Sequence, residues 1–426
     1  MRNRLPDGLS LPQHVMQNYV KVKSCWFNCH WQLYITTQDK NGMYPMNETK
    51  ADSRTSGEND RRILIRERNP YLFRPINFRS VTAPNRIMLS PMCQYSAKEG
   101  MPNDWHFVHL GARANGGTGI VFTEAVHTEA QGRITPHCLG LWNDKQRDAF
   151  KRITGFISEA GAVPGIQLGH AGRKASVGRP WEGSNPVPLS NGGWDVVSAS
   201  PRAYAKSWPT PHSLSGLEIR TQMESLAASA KRAREAGFQI IELHGAHGYL
   251  IHQFLSPLSN LREDEYGGDF DCRARFLFES IDAVRTEWPN DLPLFLRLSV
   301  TDWVEGGWSL EDTIRLAQQL KIRGDIDLID CSSGGNDPRQ KIPINPGYQI
   351  PLSREVRAGA GIATGAVGLI NSPDFAESVL ANGDADLVIM GRTLLSDPVW
   401  PLRAANFLKV PEKGAWPKQY ERSNIF

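Results

Sequence analysis

The 426-residue sequence has no run of lysine and arginine dense enough to follow a phosphate backbone, and its formal net charge is only +3. Nucleic-acid binding is therefore not expected, because that affinity rests on clustered positive charge. No stretch approaches the roughly 20 apolar residues of a membrane helix, and no compact apolar core followed by a small-residue cleavage site opens the chain. Cysteine is sparse: Cys25, Cys29, Cys93, Cys138, Cys272 and Cys331 are scattered along the chain, unlike the dense framework of a small secreted domain. Reduced thiols and a cytoplasmic location are expected. Only Cys25 and Cys29 lie close together, and no second pair at metal spacing follows, so neither a zinc ribbon nor an iron–sulfur site is supported.

What is present is apolar matter for a large core, with 40% hydrophobic and 22% charged residues. Residues 1–66 stand apart: they are rich in Asn, Gln, Lys and Ser, carry the polar run Asn47 to Arg62, and have no clean helical or strand period. A poorly ordered extension is expected there. Its scarcity of acidic residues before Asp39 faintly resembles an organelle-targeting segment, and a later start at Met43 or Met46 fits the same composition.

From Asn69 onward, short apolar runs bounded by Gly or Pro alternate with segments of helical period, the signature of repeated βα units. Eight such runs are present: Ile87 to Ser90, Ile120 to Thr123, Pro164 to Leu168, Gln239 to His244, Leu294 to Ser299, Leu328 to Cys331, Gly361 to Thr364 and Leu387 to Met390. Eight parallel strands with intervening helices close a barrel, so residues 67–426 are expected to form one (β/α)8 domain with a C-terminal tail. Helices are expected over Lys145 to Ala160, Leu217 to Ala236, Arg275 to Glu287, Leu310 to Lys321 and Ser372 to Ala381, with Ser215 and Ser309 as N-caps and Gly237 and Gly383 at helix stops. The long segment from Gly169 to Ser215 interrupts the pattern and is expected to lie over the strand ends as a lid.

Polar side chains gather where these strands end. Ser90-Pro91-Met92-Cys93-Gln94-Tyr95 follows the first; a cysteine is more often a small buried hydrophobe than a reactive group, but the end of a barrel strand raises its chance of a role. Gln167 ends the third strand, where an amide can donate to and accept from the edge of a heteroaromatic ring. His244-Gly245-Ala246-His247-Gly248-Tyr249 leaves the fourth, and three readings compete for it: a metal site, ordinary loop histidines, or donors to a substrate oxygen bearing negative charge. The glutamate of a metalloprotease helix is missing between the histidines. Arg297 is an isolated cation in an apolar strand; it requires an anionic partner, for which the electron-rich edge of a reduced flavin and a structural carboxylate both qualify. Thr364-Gly365-Ala366-Val367-Gly368 and Met390-Gly391-Arg392, at the last two strands, suit a phosphate because glycines let backbone amides face it. A cofactor with a monophosphate is expected.

These stretches, with Gln167-Leu168-Gly169-His170-Ala171-Gly172-Arg173-Lys174 and Asn260-Leu261-Arg262 leading to Asp264, Tyr266, Gly267 and Gly268, give the chain from about Leu72 to Arg422 a resemblance to the old yellow enzyme family, and within it to the thermophilic-like subgroup. The resemblance implies FMN as cofactor and NADPH as reductant. It implies that Ser90, Pro91, Met92, Cys93, Ala125, Gln167, His244 and Arg297 surround the flavin ring and that Ser333, Gly365, Gly391 and Arg392 lie near the phosphate. Cys93 then tunes the flavin, His244 and His247 hold the substrate oxygen with Tyr95 beside it, and Tyr249 supplies a proton. The implied activity is reduction of the C=C bond of an enone or nitroalkene. Arg403 resembles an arginine that reaches into a neighbouring subunit's site, which implies a homodimer or homotetramer. Two rivals remain: a flavin-binding barrel without turnover, and a dienoyl-CoA-reductase-like enzyme, for which the cysteines of a cluster and the length of a second dinucleotide domain are missing.

Overall fold

A computed structural model of the protein describes residues 69–410, 412 and 416–423. The extension expected over residues 1–66 lies outside the described residues. The chain enters through a hairpin, β1 (Ile76–Phe78) with β2 (Val81–Ala83). It then builds the strands β3 (Ile87–Leu89), β4 (Ile120–His127) and β5 (Val163–Gly169). Two short strands, β6 (Val197–Ser198) and β7 (His212–Ser213), pair within the lid. The barrel resumes with β8 (Ile240–Gly245), β9 (Leu294–Ser299), β10 (Leu328–Ser332), β11 (Thr364–Val367) and β12 (Leu387–Met390).

Strands β3, β4, β5, β8, β9, β10, β11 and β12 close in that order, every pair parallel. Both faces of each strand are buried, which is why they read as unbroken apolar runs rather than alternating ones. Inside, Met88, Ile120, Phe122, Ile240, Phe295, Leu328, Leu387 and Ile389 pack in one cluster, and Phe78, Val81 and Ala83 of the hairpin join it as a plug. The functional end is the opposite one.

Seven expected strands sit where their residues place them, with ends shifted by a few positions. The seventh does not. Gly361 belongs to the end of the helix Ile350–Ala360, where its φ of 63° allows a left-handed C-cap, and the strand starts at Thr364. Gly365 therefore lies within β11 rather than after it, and a Cβ there would stand 2.4 Å from the Ile389 Cδ1. That glycine serves close packing of β11 on β12. Ser215 and Ser309 cap their helices, each accepting the backbone N–H three residues on. The helix expected from Arg275 begins at Phe270 behind an Asp269 cap.

Candidate active site

Register brings the strand-end residues into one inward-facing layer. His244 pairs with Arg297 and Arg297 with Asp330 across β8, β9 and β10, while Ala125 pairs with Gln167 and Gln167 with Glu242 across β4, β5 and β8. Parallel partners point to the same face, so these side chains meet inside the barrel. A register shift in β4 between Phe122 and Ala125 lies beside them, the kind of bulge that re-aims side chains at a site.

The floor is a buried charge cluster. Arg297 is 5% exposed; its Nη1 donates to Ser90 Oγ at 3.1 Å and its Nε lies 3.3 Å from Asp330 Oδ2. Gln167 Nε2 donates to Glu242 Oε1 at 2.8 Å. Burial raises both carboxyls, Asp330 to about 6 and Glu242 well above the usual range, the latter pushed further by Asp330 and opposed by Arg297 and Gln167. Burial thus favours the neutral form of Glu242, and Asp330 is the ionic partner of Arg297 among the described residues. The salt-bridge reading of Arg297 holds at Nε while its outer edge still faces Ser90.

On one side Cys93 and Tyr95 leave β3 half-buried, Tyr95 at a left-handed φ of 50°. Their loop rests on Glu124, a buried carboxyl raised by desolvation and bonded by the backbone of Gln94 and Tyr95, with His106 Nε2 at 3.2 Å. On the other side His244, His247 and Tyr249 form a mutually edge-on trio. Ring centroids are 5.1 Å apart for the two histidines and 4.9 Å for His244 and Tyr249, with planes at 84° and 86°. Of the three readings of this stretch, a metal site finds no companions: among the described residues no group of three or more His, Cys, Asp or Glu is placed to hold an ion.

The turn carrying the trio is tightly held. His247 has φ 60° and Gly248 φ 71°, and a Cβ at Gly248 would stand 2.4 Å from the Gly335 carbonyl oxygen, so only glycine fits. Lys174 Nζ donates to the carbonyls of His247 and Gly335, each at 2.8 Å, and His247 N–H donates to Ser299 Oγ at 2.9 Å. Such anchoring offsets the roughly 1–3 kcal/mol that a non-glycine left-handed residue costs. Ala246 N–H donates to His244 Nδ1 at 3.3 Å, and His247 Nε2 meets Ser332 Oγ at 2.7 Å. Burial, then the charge of Arg297, lowers both imidazoles well below their usual range, and burial raises the Tyr249 phenol well above its own. At neutral pH the trio is two neutral imidazoles and an intact phenol.

At the last strands, Gly391 caps Arg392–Ser396 with no side chain bonded to the helix start, and a Cβ on it would come within 3.2 Å of the Met92 sulfur. Gly368, at φ 139°, follows β11. Ser333 Oγ donates to Gln349 Oε1 at 2.6 Å, so that hydroxyl is already engaged. These amides, with Ser90, Gln167 and Arg297 facing the same space, fit an FMN: uncapped backbone donors for the phosphate and a buried cation for the ring edge that gains charge. Arg392 is exposed at the rim, and Arg403 is exposed and pairs with Asp397 of its own chain rather than with the strand-end cluster.

The lid covers this end. Arg173 pins it by donating to Asn336 O and Oδ1 at 2.7 and 3.0 Å. Its tip, the turn Pro180–Glu182, sets Trp181 edge-on to Tyr95 at 5.9 Å and 80°, with the Arg179 guanidinium 5.3 Å over the indole. A separate cleft of about 1000 Å³ opens on the lid's outer side beside Trp194 and His212 and includes none of the trio. Glu124, Lys174, Trp181 and Ser332 were not singled out in the sequence. Only Lys174, inside the quoted run after Gln167, had a signal there.

Comparison with known proteins agrees with this geometry. An NADPH dehydrogenase of Geobacillus thermodenitrificans is 44% identical over 356 residues, 83% of this chain and 98% of the relative. An NADH:flavin oxidoreductase of Gibberella zeae is 42% identical over 389 residues, 87% of this chain and 91% of its own. Among solved structures, a 2-naphthoyl-CoA reductase superposes with a TM-score of 0.71 at 28% identity over 80% of this chain, which spans about half (53%) of that longer one. Morphinone reductase superposes at 0.67 and 25% identity, covering 80% of this chain and 90% of the other. Residues 71–410 match the NADH:flavin oxidoreductase / NADH oxidase family. The chain belongs to that family, as a flavin oxidoreductase of the old yellow enzyme type that uses FMN and NADPH.

Proposed function

We propose that the protein is an ene-reductase for α,β-unsaturated carbonyl and nitro compounds. The observation that carries this reading is the trio of His244, His247 and Tyr249: two neutral imidazoles and a protonated phenol stand edge-on to one another beside the Arg297 layer. FMN, when bound, would supply the hydride chemistry between NADPH and the β-carbon of the alkene. Everything else falls to the chain. His244, whose Nδ1 accepts from Ala246, keeps its proton on Nε2, and His247 shares a hydrogen bond between its Nε2 and Ser332 Oγ. Both then donate to the substrate oxygen, whose negative charge grows as the β-carbon is reduced, and each such donor is worth about 3 kcal/mol. Tyr249 gives its proton to the α-carbon, and Tyr95 flanks the oxygen. Turnover of a panel of cyclic enones, maleimides and nitroalkenes with NADPH tests the reading: saturated products support it, and NADPH oxidation without alkene reduction counts against it.

Two further outcomes are expected. Lys174 lies with Nζ 5.2 Å from the Tyr249 ring centre, and burial, then Arg173, lowers it to about 7. Below that pH the ammonium adds positive charge beside the oxygen pocket, and above it the charge is lost. Alkene reduction should therefore slow severalfold as pH rises through about 7, while Lys174→Met gives a flat profile. Trp181 is 65% exposed yet seated on Tyr95. Trp181→Ala should raise KM for bicyclic or aryl-substituted enones up to about tenfold, the worth of one aromatic contact, and leave cyclohexenone nearly unaffected.

A further inference from the structure

Beside the flavin site stands a second thiol that the ene-reductase mechanism does not use. Cys138 lies in the loop after β4, fully buried, and that loop is tied to the one after β3 by the Ala97 N–H donating to the His137 carbonyl at 2.9 Å. Across this tie Cys93 and Cys138 act directly on each other's ionisation. Cys93 packs against the apolar cluster of Ile134, Cys138, Ala171, Ala175, Val177 and Val196. The Cys138 sulfur is held as an acceptor: Thr135 N–H reaches it at 3.3 Å and Thr135 Oγ1 at 3.4 Å. The ring of His127, whose nitrogens have no other partner among the described residues, stands close to it as well. Burial works against a thiolate at Cys138, yet the bonds from Cys93, His127 and Thr135 hold its ionisation well below the ordinary thiol range, while the Cys138 sulfur, then burial, raises Cys93. Of the two sulfurs, Cys138 is buried and Cys93 is partly open to the site.

We propose that Cys93 and Cys138 form a redox-active thiol pair that hydrogen peroxide closes into a disulfide, switching off the site that Cys93 borders. Peroxide meets Cys93, the sulfur open to the site: as its thiolate attacks, the O–O bond breaks, a sulfenic acid forms and the leaving hydroxide takes the Cys138 proton to become water. The Cys138 thiolate then attacks the Cys93 sulfur, the S–S bond forms, and hydroxide departs and takes up a proton as the second water. Two thiols lose two electrons, and one peroxide becomes two waters. A second sulfur beside it protects Cys93 from irreversible oxidation to the sulfinic acid. The disulfide also draws Cys93 to about 2.05 Å from Cys138, away from its place after β3. Neither step depends on which alkene the enzyme reduces.

The FMN-loaded protein is treated with peroxide, its remaining thiols are alkylated, and it is digested for mass spectrometry. The expected result is one linked peptide pair joining Cys93 to Cys138, two hydrogens lighter than the thiol form, appearing as NADPH-dependent turnover falls and disappearing as dithiothreitol restores it. Cys138→Ser is expected to turn over normally but to lose activity irreversibly under peroxide, with Cys93 recovered as the sulfinic acid. Cys138→Ala serves if the serine variant fails to fold. Cys93 recovered from the unsubstituted protein as a free thiol or a sulfinic acid, without the linked pair, overturns the proposal. So does a Cys138 variant that recovers with dithiothreitol as the parent does.

Discussion

Replacing His244 by alanine is expected to slow alkene reduction about 100- to 1000-fold, the loss that follows removal of one preorganised donor to a developing oxyanion. Flavin reduction by NADPH should change far less, because the substrate oxygen plays no part in it. The asymmetry arises from geometry. His244 lies in the strand layer with Arg297 and is fixed in one tautomer by Ala246, so its Nε2–H is set before substrate arrives. His247→Ala should lose a comparable donor and be more disruptive locally, since the residue also holds the left-handed turn and contacts Ser332. Stopped-flow measurement of the two half-reactions separates these effects; equal loss in both would mean that His244 supports the cofactor rather than the substrate.

Arg297→Met should be the most damaging substitution for the barrel itself. The guanidinium stands between the fully buried Asp330 and Glu242, and removing it leaves a buried carboxylate with no cation. Breaking one partner of a buried pair costs about 3–5 kcal/mol. The FMN-free protein should therefore melt at a lower temperature, and FMN should bind more weakly. Adding Asp330→Asn to the same chain should return much of the lost stability, because the orphaned charge is gone, without returning FMN affinity. Recovery of both by the double variant would mean that Arg297 acts on the cofactor only through the fold.

The barrel was legible because each of its strands is buried on both faces and bounded by turn residues. The seventh strand was displaced because Gly361 looks like a strand boundary, whereas it terminates a helix, Ile350–Ala360, that begins without a side-chain cap and carries Pro351 at its start. The helix Asp104–Asn115 was likewise unmarked, since it buries His106, His109 and Arg113 rather than a clean apolar stripe. In the site, residues that share a short run, such as His244, His247 and Tyr249, announce themselves. Those that act through distant partners do not: Lys174 is 73 residues from the carbonyl it holds, and Trp181 meets Tyr95 only because the lid folds back. Arg297 shows the limit from the other side, since the carboxylate of its structural reading, Asp330, stands at Nε while Nη1 donates to Ser90, and no spacing in the sequence pairs these three.

We propose that this barrel carries hydride from NADPH through FMN to an activated alkene. Anaerobic stopped flow of the FMN-loaded protein tests it most directly. The visible flavin absorbance should bleach on mixing with NADPH and return on adding cyclohexenone, with one saturated ketone formed per flavin. A flavin that bleaches but regains its colour only with dioxygen, whatever enone, maleimide or nitroalkene is supplied, would contradict the account.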